Sequence, residues 1–426
     1  MTEESLPKDH VMTFSFRKID EKEEVGTWKT VDNHTWACLP DENPVNEQDQ
    51  QDTSETIIKN IVESIYFLRD NSRNKHVAPS HLYYVMTDVH LMHGVSTIKM
   101  IRDMTVLMGR NGILPEEYFE YQLYLKSRKE QLTYIGGTAL YAYWDRYNFS
   151  KRINNKLLSL LDLHSNLHIL DTIIGKEHLT DTHLFSRTLL NELKDGKQIA
   201  DFHAQTKEKL ISYGEFFVKH NNSVSGKCAF KMHYDREIDM FIELDKYKQI
   251  KRIVTYYELI NSLQNEYVFQ PIIKHHPSLE IDTIPSSGLN TIRVVSLKGR
   301  IIGASLKIAA NGNIADNMSK KGNYITTVDK YTGEIGTSFS TSKDFLGIKQ
   351  TWTTKESTVP NWKGVIDLVT RLNEMFGNKH LLGYDVTVDT SGTVKLIEIN
   401  SSTGIRILQI PHKRGFKPDF NQKITS

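Results

Sequence analysis

Apolar positions change their spacing partway along the chain. Between residues 56 and 150 they recur at helical intervals: Ile58, Ile61, Val62, Ile65 and Leu68, then Ile98, Ile101, Met104 and Met108. Gly109 and Gly112 are read as stops for the second run, and Pro115-Glu116-Glu117 as the start of another helix, with proline in the first turn and acids favoured by the helix dipole. The aromatic group Tyr118, Phe119, Tyr121 and Tyr124 is expected to be packing rather than a sugar platform. A further helix is predicted over Lys156 to Leu163, followed by a short apolar segment, Leu167 to Ile174.

From Glu215 onward the period shortens to two. Strands are predicted at Phe216–Lys219, Cys228–His233, Ile238–Leu244, Tyr267–Ile273, Thr291–Leu297, Arg300–Ala309, Leu381–Val388 and Val394–Asn400. Helices are expected near Ile250–Leu263 and Trp362–Phe376. So few helices between so many strands imply antiparallel sheets in an α+β fold, not a doubly wound parallel sheet. Ahead of all this, Val11 to Ile19 and Trp28 to Leu39 predict short strands or a small hairpin. The stretch from Pro40 to Thr56 holds six acids and no base and reads as a linker. The resulting division is an N-terminal arm and linker (1–55), a helical region (56–150), and two further parts (151–280 and 281–426).

Composition narrows the class. With 53 Lys+Arg against 52 Asp+Glu in 426 residues, the net charge of +1 argues against bulk nucleic-acid binding. There is no apolar run of 18 residues to span a membrane, and MTEESLPKDH is too polar for a secretory or transit signal. Two cysteines, Cys38 and Cys228, form neither a disulfide framework nor a zinc spacing, so the expected location is the cytoplasm. Seventeen histidines add no metal cluster: His90 and His93 lack a third ligand, and His275-His276 point apart on any regular element. The bases of the tail from His412 (Lys413, Arg414, Lys417 and Lys423) are read as solvated rather than membrane-bound.

The most informative stretch runs from Leu381 to Asn400. Two alternating runs flank Asp389-Thr-Ser-Gly392, a hairpin turn. A turn centred between Ser391 and Gly392 puts Asp385 directly across from Glu398, with Asn400 on the same face. Opposed carboxylates destabilise a sheet unless something positive joins them. Oxygen-only donors point to magnesium or manganese, ions that usually also hold substrate phosphates. The competing reading is a solvated polar edge. Upstream, Glu215-Phe-Phe-Val-Lys219 is a strand ending in a lysine, and the loop to Gly226-Lys227 is small and polar. Such a loop offers backbone N–H groups to phosphates, but Asn221 and Cys228 exclude a Walker P-loop.

Strand, lysine, small-residue loop, strand, then a D…E-x-N hairpin: this order resembles the ATP-grasp superfamily over about residues 154–404. Leu289-Asn-Thr-Ile-Arg-Val-Val295, Asp316-Asn317 and the tyrosine-rich helices near Pro115 look most like its sugar-transfer associated group. The resemblance implies two α+β subdomains clasping ATP, and an ATP- and magnesium-dependent ligase joining a carboxylate to an amine through an acyl phosphate. It further implies small-molecule substrates, one an amino acid or a sugar carboxylate of a surface polysaccharide. A kinase acting on a hydroxyl and a non-catalytic ATP-binding scaffold are the alternatives.

By the same resemblance, Lys156 and Lys219 match the phosphate-region lysines, and the stretch containing Ser223, Ser225 and Gly226 matches the mobile loop over the triphosphate. Gln270, Ile272 and Ile273 match the adenine hinge, Asp282 the ribose contact, and Asp385, Glu398 and Asn400 the metal ligands. Leu381-Leu-Gly-Tyr lacks the arginine that peptide-type ligases carry before the hairpin aspartate. The resemblance then leaves Arg293 or Lys307 to stabilise the transferring phosphoryl group. The turn at Lys298-Gly299 leaves open whether these two share a face.

Overall fold

The structure is a computed structural model of the chain. It describes residues 26–32, 35–40, 79–147, 167–220, 230–244, 249–263, 266–280, 286–310, 312–313, 316, 322–340, 350–351, 357–376 and 381–421. Outside these fall the helices expected around residues 58–68 and 156–163, the strand at 11–19 and the acidic linker, as well as Lys156, Ser223, Ser225, Gly226, Asp282 and Asn317. Contacts divide the chain into two compact units, Met1–Thr97 and Ile98–Ser426.

In the first unit β1 (Gly26–Asp32) and β2 (Thr35–Pro40) form the expected antiparallel hairpin. Helix α1 (Pro79–His93) buries Leu82, Val85, Met86 and Val89, one stripe at helical spacing. Gly94, at φ +65°, ends it.

The second unit opens with α2 (Thr97–Asn111), which buries Met100, Met104 and Leu107. Gly109 lies inside this helix rather than stopping it; the stop is Gly112, whose φ of +63° favours glycine. Helix α3 (Pro115–Glu120) starts on its proline, and Glu117 accepts the N–H of Leu114. Tyr118, Phe119, Tyr121 and Tyr124 are all buried, as expected of packing residues. Helix α4 (Gly137–Tyr147) follows, and then α5 (Leu167–Ile174), where the sequence suggested only an apolar segment.

Two antiparallel sheets come next. The smaller holds β3 (His183–Ser186), β4 (Glu215–His220), β5 (Phe230–Asp235), β6 (Met240–Leu244), β7 (Ile250–Val254) and β8 (Glu266–Pro271), in the order β3-β8-β4-β5-β6-β7. Helices α6 (Gly196–Tyr213) and α7 (Tyr256–Ser262) cover one face of it, packing on Phe216, Val218, Phe241 and Phe269. The helix expected over Ile250–Leu263 is corrected here, because its first half is β7. Ile250, Ile253 and Val254 fit either period, but β-branched residues favour a strand and β6 pairs with them. The helix begins at the capping box formed by Thr255 and Glu258.

The larger sheet comprises β9 (Thr291–Leu297), β10 (Arg300–Ile308), β11 (Tyr324–Val328), β12 (Glu334–Ser340), β13 (Gln350–Thr351), β14 (Ser357–Thr358), β15 (Leu381–Val388) and β16 (Val394–Asn400). Its order is β13-β12-β11-β10-β9-β15-β16, with β14 also on β12. Strands β9, β15 and β16 have the bounds the alternation predicts. Strands β11 and β12 escape that pattern because polar residues are buried in them as hydrogen-bonded pairs, such as Thr326 with Ser338 at 2.7 Å. Helices α5 and α8 (Trp362–Phe376) cover one face, against Ile292, Val294, Leu306, Tyr384 and Val386.

The C-terminal segment departs in part from expectation. Helix α9 (Arg406–His412) and the residues as far as Asn421 pack back on the chain around Phe416, while Lys413 and Arg414 are exposed as expected, Lys417 is half-buried and Lys423 lies outside the described residues. Phe416 is fully buried, and Lys417 Nζ donates to Arg110 O at 2.9 Å and to Asn111 Oδ1 at 3.0 Å. Buried Gln409 accepts from Ile135 N at 3.0 Å and donates to Ile135 O at 2.9 Å. These contacts hold the C-terminal segment against the end of α2 and the segment between α3 and α4. Among the described residues no helix is long and apolar enough to cross a membrane.

Candidate active site

In the larger sheet α5 and α8 cover one face, α9 packs on the β10–β12 part of the other, where Ser305 Oγ donates to Ile407 O at 2.8 Å, and the charged side chains gather beside it. Directly opposed residues of an antiparallel pair project to the same face. Ser305 of β10 opposes Arg293 of β9, Arg293 opposes Asp385 of β15, and Asp385 opposes Glu398 of β16. The four form one row across four strands, on the face away from α5 and α8. Lys307 and Thr291 form the next row.

Two bulges create this row. The tight turn pairs Leu297 with Arg300, and unbroken pairing would set Ala304 opposite Arg293. Ile302 is an extra residue in β10, and the shift brings Ser305 and Lys307 onto the face of Arg293. Gly303 beside it permits close packing of α9, since a Cβ there would lie 2.9 Å from Leu408 Cδ1. In the other hairpin, Val388 pairs with Val394, so the turn centres on Ser391, half a residue before the expected point. Continuing from there would oppose Asp385 to Ile397; a bulge at Ile397 restores Glu398 to that place.

Asp385 is buried and fully engaged. Arg293 Nε donates to its Oδ1 at 2.5 Å and Nη2 to its Oδ2 at 2.7 Å, a two-pronged pair. Lys307 Nζ donates to the same Oδ2 at 3.0 Å and to Asp316 Oδ1 at 3.0 Å. Thr291 Oγ1 donates to the other oxygen of Asp316. Burial alone would raise the pKa of Asp385, but Arg293 and Lys307 outweigh it and hold the carboxyl well below its usual range. Lys307 is likewise buried yet held cationic by Asp316 and Asp385. Asp316 shifts the opposite way from its partner, upward, through burial against the pull of Lys307. Both of its oxygens accept, from Lys307 and Thr291, as a carboxylate's do.

Glu398 stands apart. Its side chain reaches solvent at the sheet edge, and it makes no ion pair with a described residue. Protein crowding and then Asp385 opposite raise its pKa. Asn400, with its amide oxygen toward Arg293 Nη2 and its nitrogen toward Glu398 Oε1, spans the two at 3.2 Å each. Thr403 Oγ1 accepts from Arg293 Nη1 at 3.1 Å. Gly383 makes room for that contact: a Cβ there would lie 2.7 Å from Thr403 Cβ and 3.0 Å from Arg293 Cδ. Sequence reasoning missed Thr403, and the glycine two residues before Asp385 is the clue that marked a close approach.

The smaller sheet brings one cation into the field of this row. Lys219 and Gln270 lie on its face away from α6 and α7, with Gln270 opposite Phe217, about 7 Å along the strand from Lys219. Burial lowers the Lys219 pKa and the field of Glu398 partly restores it, so the lysine of one sheet and the acid of the other are electrostatic neighbours. Gln270 Nε2 donates to Thr182 Oγ1 at 2.8 Å, and Ile272 N–H donates to Glu215 O at 3.1 Å. Ile273 follows, half-buried.

Among the described residues no three His, Cys, Asp or Glu side chains form a cage for a metal. The donors available are two opposed carboxylates and one amide. This hard-oxygen set fits magnesium or manganese at Glu398, the carboxylate with no cation in contact among the described residues.

Residues 144–425 match the family described as sugar-transfer associated ATP-grasp. The chain belongs to that family. The chain has two antiparallel sheets with helices packed on them, an α+β arrangement that this family membership accounts for. The chain is also similar to solved structures of ATP-grasp ligases, at 10–13% identity. One is the D-alanyl-alanine synthetase A of Vibrio cholerae O1 biovar eltor (10% identity, 63% of each chain, TM-score 0.35). Another is a RiPP-associated ATP-grasp ligase of Chryseobacterium gregarium, in complex with ADP and a leader and core peptide (12%, 62% of this chain and 61% of that one, 0.31). A third is the VanG D-Ala:D-Ser ligase of Enterococcus faecalis (13%, 62% and 58%, 0.31). Each alignment spans less than two thirds of the solved chain. No curated protein matches this sequence.

Proposed function

We propose that this ATP-grasp protein is an ATP-dependent carboxylate–amine ligase. A substrate carboxylate oxygen attacks the γ-phosphorus of ATP, the bond to the β-phosphate oxygen breaks, and ADP leaves. The amine then attacks the acyl phosphate carbon, phosphate departs, and the amine loses a proton as the amide forms. The observation that carries this reading is the placement of Glu398, opposed to Asp385 within one sheet and neighbouring Lys219 of the smaller sheet.

In this reading Lys219 and Lys156 neutralise the phosphates, and the loop with Ser223, Ser225 and Gly226 closes over them. Since Ile272 N–H is already bonded to Glu215, the Ile272 carbonyl and the Ile273 backbone are left to meet adenine, with Gln270 at the hinge and Asp282 toward the ribose. Glu398, Asn400 and Asp385 would hold magnesium, which supplies charge neutralisation at the terminal phosphates. Half-buried Arg293 and buried Lys307 are both bonded to Asp385, so they act by keeping it ionised and in place. One substrate is an amino acid or a sugar carboxylate, joined in the cytoplasm for a surface polysaccharide.

The test is product analysis with Mg-ATP and a panel of amino acids, sugar acids and amines. ADP and free phosphate should appear only when carboxylate and amine are both present, and hydroxylamine should trap the acyl phosphate as a hydroxamate. Phosphate retained on a hydroxyl acceptor would make the protein a kinase. Nucleotide binding without turnover across the panel would make it a scaffold.

A further inference from the structure

Asp316 is a buried carboxylate that touches none of the residues assigned to metal or nucleotide. Its contacts are Lys307, which it shares with Asp385, and Thr291. Across the row and its neighbours, the anions are Asp385, Asp316 and Glu398 and the cations are Arg293 and Lys307, three against two. Lys219, on the smaller sheet, makes no ion pair with a described residue.

Without Asp316 the arithmetic changes. Arg293 already satisfies Asp385 with two prongs. An undivided Lys307 would then add a full positive charge beside a neutralised carboxylate, next to where a divalent cation must sit. Asp316 draws that ammonium toward itself, and Thr291 fixes its other oxygen.

We infer that Asp316 is a positioning residue that acts through Lys307 to keep the Asp385–Glu398 row net negative and receptive to a divalent cation. The inference rests on the metal role of Glu398 in the reading above. It separates two affinities that a merely structural role would move together. Removing the charge should weaken cation binding and leave nucleotide binding, which favours positive charge, unchanged or tighter.

The experiment is Mn²⁺ titration followed by electron paramagnetic resonance, alongside binding of a fluorescent ATP analogue without divalent ions. Asp316→Asn should raise the Mn²⁺ Kd by about tenfold or more, as expected for losing a unit charge at short range, without weakening the analogue. Thr291→Val, which keeps the carboxylate, should change the Mn²⁺ Kd less than about threefold. Where Asp316→Asn fails to fold, the double variant Lys307→Met/Asp316→Asn decides. It removes one charge of each sign and should keep the Mn²⁺ Kd near that of the wild type; loss of binding there overturns the inference. Wild-type protein that binds no Mn²⁺ overturns the metal reading together with this one. Wild type that binds Mn²⁺ while Asp316→Asn binds it equally overturns this one alone.

Discussion

Arg293 and Asp385 stand directly opposite each other on neighbouring strands and meet through two hydrogen bonds, at 2.5 and 2.7 Å. The pair leaves Glu398, one strand further on, as the acid in the row with no counter-charge in contact among the described residues. Several measurable consequences depend on that asymmetry.

Glu398→Gln should abolish magnesium-dependent stabilisation by a non-hydrolysable ATP analogue. At 100 times its dissociation constant the analogue adds about 2.7 kcal/mol, roughly 4 °C for a unit of this size. Differential scanning calorimetry with and without Mg²⁺ checks it, and an equal shift in the variant removes Glu398 from the site.

Lys307→Met leaves Asp385 and Asp316 buried with one cation fewer. Breaking a buried ionic cluster by removing one partner costs about 3–5 kcal/mol. Adding Asp316→Asn should recover part of that loss, a coupling that urea denaturation of both single variants and the double variant will measure. Additive losses would mean that the two groups do not interact.

Gly383→Ala places a methyl group against Thr403 and Arg293. Overpacking of this kind costs about 1–3 kcal/mol. Ligase turnover should fall with it, because Arg293 loses the Thr403 contact. An Ala variant with unchanged melting temperature and rate would show that the strand has slack there.

Gln409→Ala strips partners from the buried N–H and C=O of Ile135 and from the N–H of Phe416. The expected loss is about 2–4 kcal/mol, with earlier proteolysis near the C-terminus. Protection as in the wild type would mean that this staple is dispensable.

His412 donates from Nε2 to Ala304 O at 2.9 Å, and burial lowers its pKa from 6.5. Burial lowers His183, His203 and His275 as well. A base depressed in the folded state binds its proton more readily when unfolded, so stability is complete above pH 6.5 and declines as pH falls below it. The melting temperature should drop between pH 7.5 and 5.5, and less so in His412→Gln. A flat profile refutes the assignment.

Much of the fold is legible in the sequence where one face of a strand is apolar and the other polar, as in β9, β15 and β16. It is not legible where buried polar residues satisfy one another, as Thr326 and Ser338 do in β11 and β12. The half-strand, half-helix segment 250–262 misleads because isoleucines at 250 and 253 suit both periods, although Thr255 and Glu258 mark the true helix start.

By itself the sequence determines the α+β character and the acidic hairpin, because alternation and turn residues are local properties; it is the bulge at Ile397 that sets Glu398 opposite Asp385. The tertiary structure alone decides that Arg293 and Lys307 share a face, that Asp316 reaches Lys307, and that Lys219 comes into the field of Glu398. A bulged residue in β10, accommodated by Leu408 packing over Gly303, turns the strand by one position. Register in a sheet is fixed by what packs on it, and one residue of slip carries every side chain to the other face.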